Sequence, residues 1–211
     1  MNVILYGISG GLSYGPLGMT HHSLQDIATF TAIPGIEVHI PADRFQSVAL
    51  IKDLIKNPRP AYIRVGRNAV EDVYNENDND FDFSKAKIIY KGNDVAIIAV
   101  GEMVYYAKKA AEILKSEHNI NALLVDMHTI KPLDENIIKQ ASNIGKIVTV
   151  EEHSIYGGLG SIVSRVASNY KPTKVKTFAL PDEPVVAGKS KEVFEYYGLS
   201  VENIVKQVLE W

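Results

Sequence analysis

Residues 94–126, DVAIIAVGEMVYYAKKAAEILKSEHNINALLVD, decide the class of fold. Val95–Val100 is an unbroken apolar run closed by Gly101, Val104–Lys115 carries apolar residues at helical spacing, and Ala122–Val125 returns to an apolar run. Two runs that are apolar on both faces, with a helix between them, make a strand–helix–strand unit whose strands are buried and parallel. The rhythm continues on both sides. Val3–Tyr6, Ile36–Ile40, Ala61–Val65, Ile88–Tyr90, Ile147–Val150 and Val175–Ala179 read as further strands. Between them Ser23, with Asp26 three positions on, resembles a capping box that opens a helix over Leu24–Ala32. Asp43 is placed to cap Arg44–Lys56, where Phe45, Val48, Ile51 and Ile55 share one stripe. Helices are also expected over Asp134–Ala141, Ser161–Ser168, Lys191–Tyr196 and Val201–Leu209, the last capped by Ser200. Such alternation predicts an α/β protein with a largely parallel sheet.

The chain has 211 residues, of which 46% are hydrophobic and 22% charged, so it can bury a sizeable core. At the usual domain size that length allows one domain or about one and a half. A net charge of −3 argues against a general nucleic-acid binder. With no cysteine, disulfides, thiolate nucleophiles and Cys-ligated metals are excluded. The absence of a long apolar run or a leader pattern gives no membrane span and a cytoplasmic protein as the expectation.

One composition shift divides the chain. Residues 71–85 are acidic, rich in Asn and poor in aliphatics, and read as a surface linker. Residues 86–211 hold about five strands and five helices, enough for a complete domain, whereas residues 1–70 hold three strands and two helices. A sheet that small leaves an edge uncovered, so the N-terminal part is expected to be the tail end of a larger α/β domain.

Several motifs fail on inspection. Gly188-Lys189-Ser190 ends like a phosphate loop, but Glu183 stands where its first glycine belongs and Pro184 lies inside it. Asp78-Asn79-Asp80-Phe81-Asp82 starts like a calcium loop, yet Phe83 replaces the turn glycine and Ile89 the bidentate glutamate. Gly157-Gly158-Leu159-Gly160 offers glycines at a helix start but has Val163 for the third fingerprint glycine, so a tight turn with close helix–sheet packing is the better reading. The histidines at 21, 22, 39, 118, 128 and 153 include no i, i+4 pair, so no metal site and no cofactor-binding residue is assigned; His39 and His118 are expected in packing or surface roles.

What remains is Ser13-Tyr14-Gly15-Pro16-Leu17-Gly18-Met19-Thr20-His21-His22-Ser23, a loop from a strand into a helix, where open α/β sheets bind ligands. Thr20-His21-His22 reads equally as a helix start with histidines satisfied by local backbone or as a catalytic element. Here the sequence resembles a family. Gly15 to Asp26, Ala32-Ile33-Pro34-Gly35-Ile36, Pro41-Ala42-Asp43 and Pro60-Ala61-Tyr62-Ile63-Arg64-Val65-Gly66-Arg67 resemble the second half of the pyrimidine-binding domain of transketolases. Asp94–Gly101, Asp126-Met127-His128-Thr129-Ile130-Lys131-Pro132-Leu133-Asp134, Val150–Gly160 and Tyr197-Gly198-Leu199 are similar to the transketolase C-terminal domain. The likeness extends to 1-deoxyxylulose-5-phosphate synthases and to 2-oxoacid dehydrogenase β subunits. The phrase around His21 looks most like the C-terminal section of bacterial split transketolases.

The resemblance implies a truncated parallel α/β pyrimidine-binding domain over 1–70, the acidic linker over 71–85, and an open three-layer αβα C-terminal domain over 86–211. It implies transfer of a two-carbon ketol unit between sugar phosphates on thiamine diphosphate, with Mg2+ or Ca2+, by an oligomer that includes an N-terminal transketolase section. His21 matches the histidine that contacts substrate oxygens, work suited to an imidazole that donates and accepts near neutral pH. Arg67 matches an arginine that grips the sugar phosphate with its guanidinium fork; otherwise it makes a surface ion pair beside the linker. The family's catalytic glutamate and the residues that hold the aminopyrimidine match nothing in this chain, so the chain by itself is expected to be inactive. Leu17 stands where many members have an acidic residue that reads hydroxyl configuration, and Ser9 where phosphosugar members have a histidine, so the sugar stays open. A 2-oxoacid dehydrogenase β-like or 1-deoxyxylulose-5-phosphate synthase-like chain and a non-catalytic assembly module are the alternatives.

Overall fold

The computed structural model describes residues 2–78 and 80–211. Met1 and Asn79, the latter in the acidic stretch and the rejected calcium-loop frame, lie outside them. Two mixed sheets lie side by side. The first is built from β1 (Ile4–Ile8), β2 (Glu37–His39) and β3 (Ala61–Val65), with α1 (Asp26–Ala32) and α2 (Arg44–Lys56) in the connections. The second is built from β4 (Lys87–Tyr90), β5 (Val95–Ala99), β6 (Ala122–Asp126), β8 (Lys146–Ser154) and β9 (Lys174–Leu180). A short strand between β6 and β8, β7 (Thr129–Lys131), leaves the second half of the chain and completes the first sheet.

The strand orders are β1-β3-β2-β7 and β4-β6-β5-β8-β9. Parallel pairing dominates, with Ile4 opposite Ala61, Val95 opposite Ala122 and Ile147 opposite Val175. The exceptions are the two edge strands β7 and β4, which pair antiparallel with β2 and β6. These make both sheets mixed, beyond what periodicity showed, and β7 is too short and polar to be read as a strand.

The second sheet is the central layer of an αβα sandwich. Along β5, Val95, Ile97 and Ala99 pack with α3 (Met103–His118), α6 (Ser190–Tyr196) and α7 (Val201–Leu209), whereas Ala96 and Ile98 pack with α4 (Glu135–Ile144) and α5 (Leu159–Tyr170). Period-two alternation with both faces apolar is what a doubly covered strand requires. In the first sheet the reading of β1 as a buried strand fails. Ile4, Leu5, Tyr6 and Ile8 are 40–65% exposed, because β1 is an edge strand without a covering element among the described residues.

Two helix readings also need correction. Ser23 does not cap α1, which starts at Asp26 after Gln25, because the Ser23 backbone forms an antiparallel bridge with Gly11. In α2 the cap is as expected, Asp43 Oδ1 accepting from the Gln46 N–H at 2.9 Å, but the buried face is Gln46, Leu50 and Leu54. Val48 and Ile55 face outward, since Leu50 and Leu54 are the pair that meets Ala61 and Ile63 of β3.

The expectation that the acidic stretch runs over the surface needs correction, because three of its apolar residues pack into the cores of the two sheets. Val73, Tyr74 and Phe83 are buried, and Asp43 Oδ2 accepts from the Val73 and Tyr74 N–H groups at 2.9 and 2.8 Å. The Tyr74 hydroxyl and Gln46 Nε2 both donate to Asp126 Oδ2, at 2.7 and 2.8 Å, while Asp126 Oδ1 has no partner among the described residues. Burial pushes the Asp126 carboxyl up to about 7 against those two hydrogen bonds.

A carboxyl that holds its proton in the folded chain and loses it at an ordinary pKa when unfolded favours folding at low pH. That stability is lost as pH rises from about 4 to about 7. Asp126→Asn, whose amide oxygen can accept both donors, is expected to flatten this fall by up to about 3 kcal/mol between pH 4.5 and 8, read from urea denaturation midpoints. Parallel pH dependence in the two proteins would show that Asp126 is not the group responsible.

Candidate active site

The loop from β1 to α1 carries the candidate residues and is pinned at many points. Ser9 has φ of 70°, in the left-handed region that side chains rarely adopt, and Gly11 follows at 65°. A Cβ at Gly10 would lie 2.4 Å from Arg64 Cγ, so glycine there lets the Arg64 stem pass beneath the loop. Gly11 and Ser23 exchange backbone hydrogen bonds of 3.0 and 3.1 Å, which closes the loop at its base. Leu12 is fully buried, and its N–H donates to Glu152 Oε1.

Arg64 forms the floor. Its Nη2 donates to the Glu152 carbonyl at 2.6 Å, and its guanidinium lies 3.5 Å from both the Asp26 and Glu152 carboxylates. Asp26 in turn accepts from the Tyr62 hydroxyl at 2.7 Å. Burial pushes Glu152 up to about 8 although Arg64 pulls the other way. The neighbouring Glu151, raised by burial to about 7, accepts from the Leu159 and Gly160 N–H groups at 2.6 and 2.7 Å. The chain's own carboxyl therefore occupies the start of α5, and a Cβ at Gly160 would lie 2.5 Å from Thr177, which is the close packing expected of the 157–160 glycines.

The second half of the chain clamps the loop from above. Gly188 N–H donates to the Gly15 carbonyl at 3.1 Å and Ser190 Oγ to the Leu12 carbonyl at 2.9 Å. The Gly-Lys-Ser sequence that fails as a phosphate loop thus holds the 3-10 turn Gly15–Leu17 in place.

The two adjacent histidines part company. His22 is buried, its Nε2–H donates to the Gly15 carbonyl at 3.3 Å, and burial, the largest cause, lowers its pKa. The local backbone satisfies only that nitrogen, since its Nδ1 is buried without a partner among the described residues. His21 is exposed, with Nδ1 3.0 Å from Thr20 Oγ1 and Nε2 without a partner among the described residues. Arg67, just past β3, is also exposed and makes no ion pair or hydrogen bond among the described residues; Asp72, the nearby acid, pairs instead with Arg44 at 2.9 Å. Its guanidinium carbon lies 4.2 Å from the centre of the Tyr14 ring, and the same ring meets His21 edge-on at 5.6 Å between centroids.

Residues 46 positions apart therefore meet at one aromatic side chain. Sequence reasoning gives Tyr14 no role within the loop, and it misses Arg64, Glu152 and Asn68, whose Nδ2 donates to the Ser13 carbonyl at 3.0 Å. No local pattern marks them, because each acts on a partner distant in the chain. Leu17 and Met19 of the same loop are 51% and 57% exposed. A cleft of about 560 Å3 opens beside the loop between Tyr6, Asp43, Arg64, Glu102 and Glu152; it reaches Gly66 and Asn68 but is lined by neither His21 nor Arg67. Among the described residues no group of three or more His, Asp or Glu side chains is arranged to hold a metal ion, and no helix is long and apolar enough to cross a membrane.

Comparison with known proteins agrees with this architecture. Residues 1–72 match the transketolase pyrimidine binding domain and residues 84–204 the transketolase C-terminal domain. The chain is 48% identical over 211 residues to an apulose-4-phosphate transketolase subunit of Phocaeicola vulgatus, covering all of this chain and 67% of that protein. It is 33% identical to a 6-deoxy-6-sulfo-D-fructose transketolase subunit of a Clostridium species, covering 100% of this chain and 65% of that one. A solved split gene transketolase, an inactive beta4 tetramer, superimposes with a TM-score of 0.87 at 32% identity over 100% of this chain and 67% of its own. The chain thus spans about two thirds of the length of these relatives. With both domains matched in order and relatives this similar across its whole length, the chain belongs to the transketolase family.

Proposed function

We propose that this chain is the C-terminal section of a split, thiamine-diphosphate-dependent transketolase that moves a two-carbon ketol unit between sugar phosphates. In this reading residues 1–70 belong to the pyrimidine-binding domain, 71–85 are the acidic linker, and 86–211 form the C-terminal domain. One observation carries it: Tyr14 joins the His21 imidazole to the Arg67 guanidinium from beyond β3, and among the described residues neither His21 Nε2 nor the Arg67 donor fork has a hydrogen-bond partner. The relatives named as transketolase subunits support the same reading.

The chemistry divides by side chain. Arg67 would hold the terminal phosphate through paired N–H···O contacts, which fix orientation as well as charge. His21 Nε2 would exchange a proton with a substrate oxygen, its ring held by Thr20 and Tyr14 so that the nitrogen is presented in one direction. Thiamine diphosphate, when bound, supplies the carbon centre that carries the ketol unit. The described residues do not fit its diphosphate and metal end, since they offer no three-ligand cation site. A partner section would hold that end, and the active species would be an oligomer of the two. Leu17 at the position of the acidic residue argues for a sugar read differently from the common one.

Mixing the chain with a diphosphate-binding transketolase section and assaying ketol transfer from phosphorylated donors tests the reading; lipoyl acylation or 1-deoxyxylulose phosphate formation instead would move it to the sister chemistries. The chain alone is expected to show no micromolar binding of thiamine diphosphate by calorimetry, and such binding would contradict the need for a partner. In the mixed enzyme His21→Ala is expected to lower kcat/KM more than tenfold; survival within tenfold removes His21 from the reaction. Arg67→Ala is expected to raise KM for phosphorylated substrates about 10- to 100-fold, the value of a hydrogen-bonded charge, with a smaller change for unphosphorylated analogues. Equal effects on both substrates would place Arg67 away from the phosphate.

A further inference from the structure

We propose that Tyr14 is a positioning residue that sets the Arg67 donor fork in place for a phosphate monoester and ties it to His21. The inference rests on the reading of Arg67 as the anion contact and goes further, because it gives a physical reason why an exposed arginine on a loop would be ready to bind.

Arg67 is unusual in its surroundings. The acidic stretch begins four positions on, yet neither Glu71 nor Asp72 pairs with it, and Asp72 is held by Arg44 through three hydrogen bonds of 2.9–3.2 Å. A free arginine on a surface loop samples many rotamers, and ordering it on binding costs affinity. Stacking on an aromatic face orders the guanidinium plane while consuming none of its five N–H donors. The Tyr14 ring, 4.2 Å away, does this, and an ion pair with a carboxylate could not.

Tyr14 is itself held firmly. The carbonyls on either side of it, of Ser13 and Gly15, accept from Asn68 Nδ2 at 3.0 Å and from the Gly188 N–H at 3.1 Å. The Asn68 bond comes from the residue next to Arg67, so the backbone that carries the arginine and the backbone that carries the ring are locked to each other. His21 meets the Tyr14 ring edge-on, the arrangement aromatic quadrupoles favour. One ring therefore sets the separation between the proton-exchanging imidazole and the anion-binding fork. The ligand class that fits is a short hydroxylated carbon chain ending in a phosphate monoester, its chain lying across Tyr14.

The test uses the full chain alone, with inorganic phosphate and then ribose 5-phosphate as probes. Side-chain NMR of Arg67 Nε–H in the native chain is expected to show the upfield displacement that a ring face produces. Tyr14→Leu should abolish that displacement and weaken phosphate binding about fivefold, whereas Tyr14→Phe, which keeps the ring, should restore most of both. In the mixed enzyme Tyr14→Leu should raise KM for phosphorylated substrate by more than it lowers kcat. The proposal is overturned if either the Arg67 signal or the phosphate affinity is unchanged in Tyr14→Leu, if Phe behaves as Leu, or if kcat alone moves. Failure of the mixed sections to transfer ketol units would sink the transketolase reading, while the measurements on the chain alone would still decide the role of Tyr14.

Discussion

The structure turns on one buried cation. Arg64 leaves β3 beneath the candidate site loop and meets Asp26 from α1 and Glu152 from β8, so that a single guanidinium joins the first sheet, the loop and the second sheet. Burial disfavours its charge, and the surrounding carboxylates hold its pKa above the ordinary arginine value all the same. Burial raises Glu151 to about 7 and Glu152 to about 8 against the pull of Arg64, and for Glu152 the nearby Glu102 and Asp26 carboxylates add to the rise. Removing one member of such a group leaves uncompensated charge in the interior, a loss of about 3–5 kcal/mol. Gly10 and Gly11 follow from the same constraint, because any side chain there would collide with Arg64 or Glu152.

The candidate site has a rigid floor under an exposed rim. The buried histidine of the pair, His22, donates a hydrogen bond to the Gly15 carbonyl, and the exposed one is held by a neighbouring hydroxyl and a ring. Fixed backbone with free side-chain donors limits the ordering cost on binding, since only groups already aimed outward need to find the ligand. The clamp by Gly188 and Ser190 gives the second half of the chain a direct part in the site. A fragment that ended at the acidic stretch would lack Glu152 below the loop and this pair above it.

The exposed apolar face of β1 contrasts with the rest. Its side chains would be comfortable under a helix or beside another strand, and the relatives are longer than this chain by about one third of their length. The Asp43–Tyr74–Asp126 network shows how differently the interior of the seam is treated. There Asp126 Oδ2 accepts from Tyr74 and Gln46 and Asp43 Oδ2 accepts from the Val73 and Tyr74 N–H groups, while Asp126 Oδ1 has no partner among the described residues and burial raises that carboxyl to about 7.

Local pattern was enough for much of this protein. Apolar runs with both faces buried gave β5, β6 and β8, and the Asp43 and Ser200 caps fixed α2 and α7, because each of these is set by neighbours within a few residues. Where burial depends on a distant partner, pattern misled. The α2 stripe pointed to Val48 and Ile55, yet contact with β3 chose Leu50 and Leu54; the Ser23 side chain lost its capping role to a backbone bridge; β7 took its strand form only by pairing with β2. Resemblance picked out His21 and Arg67 singly. That they share one ring, and that Arg64 and Glu152 hold the loop beneath them, was decided by tertiary structure alone, since cation–ring stacking and buried charge pairing act over a few ångströms in space between residues far apart in the chain.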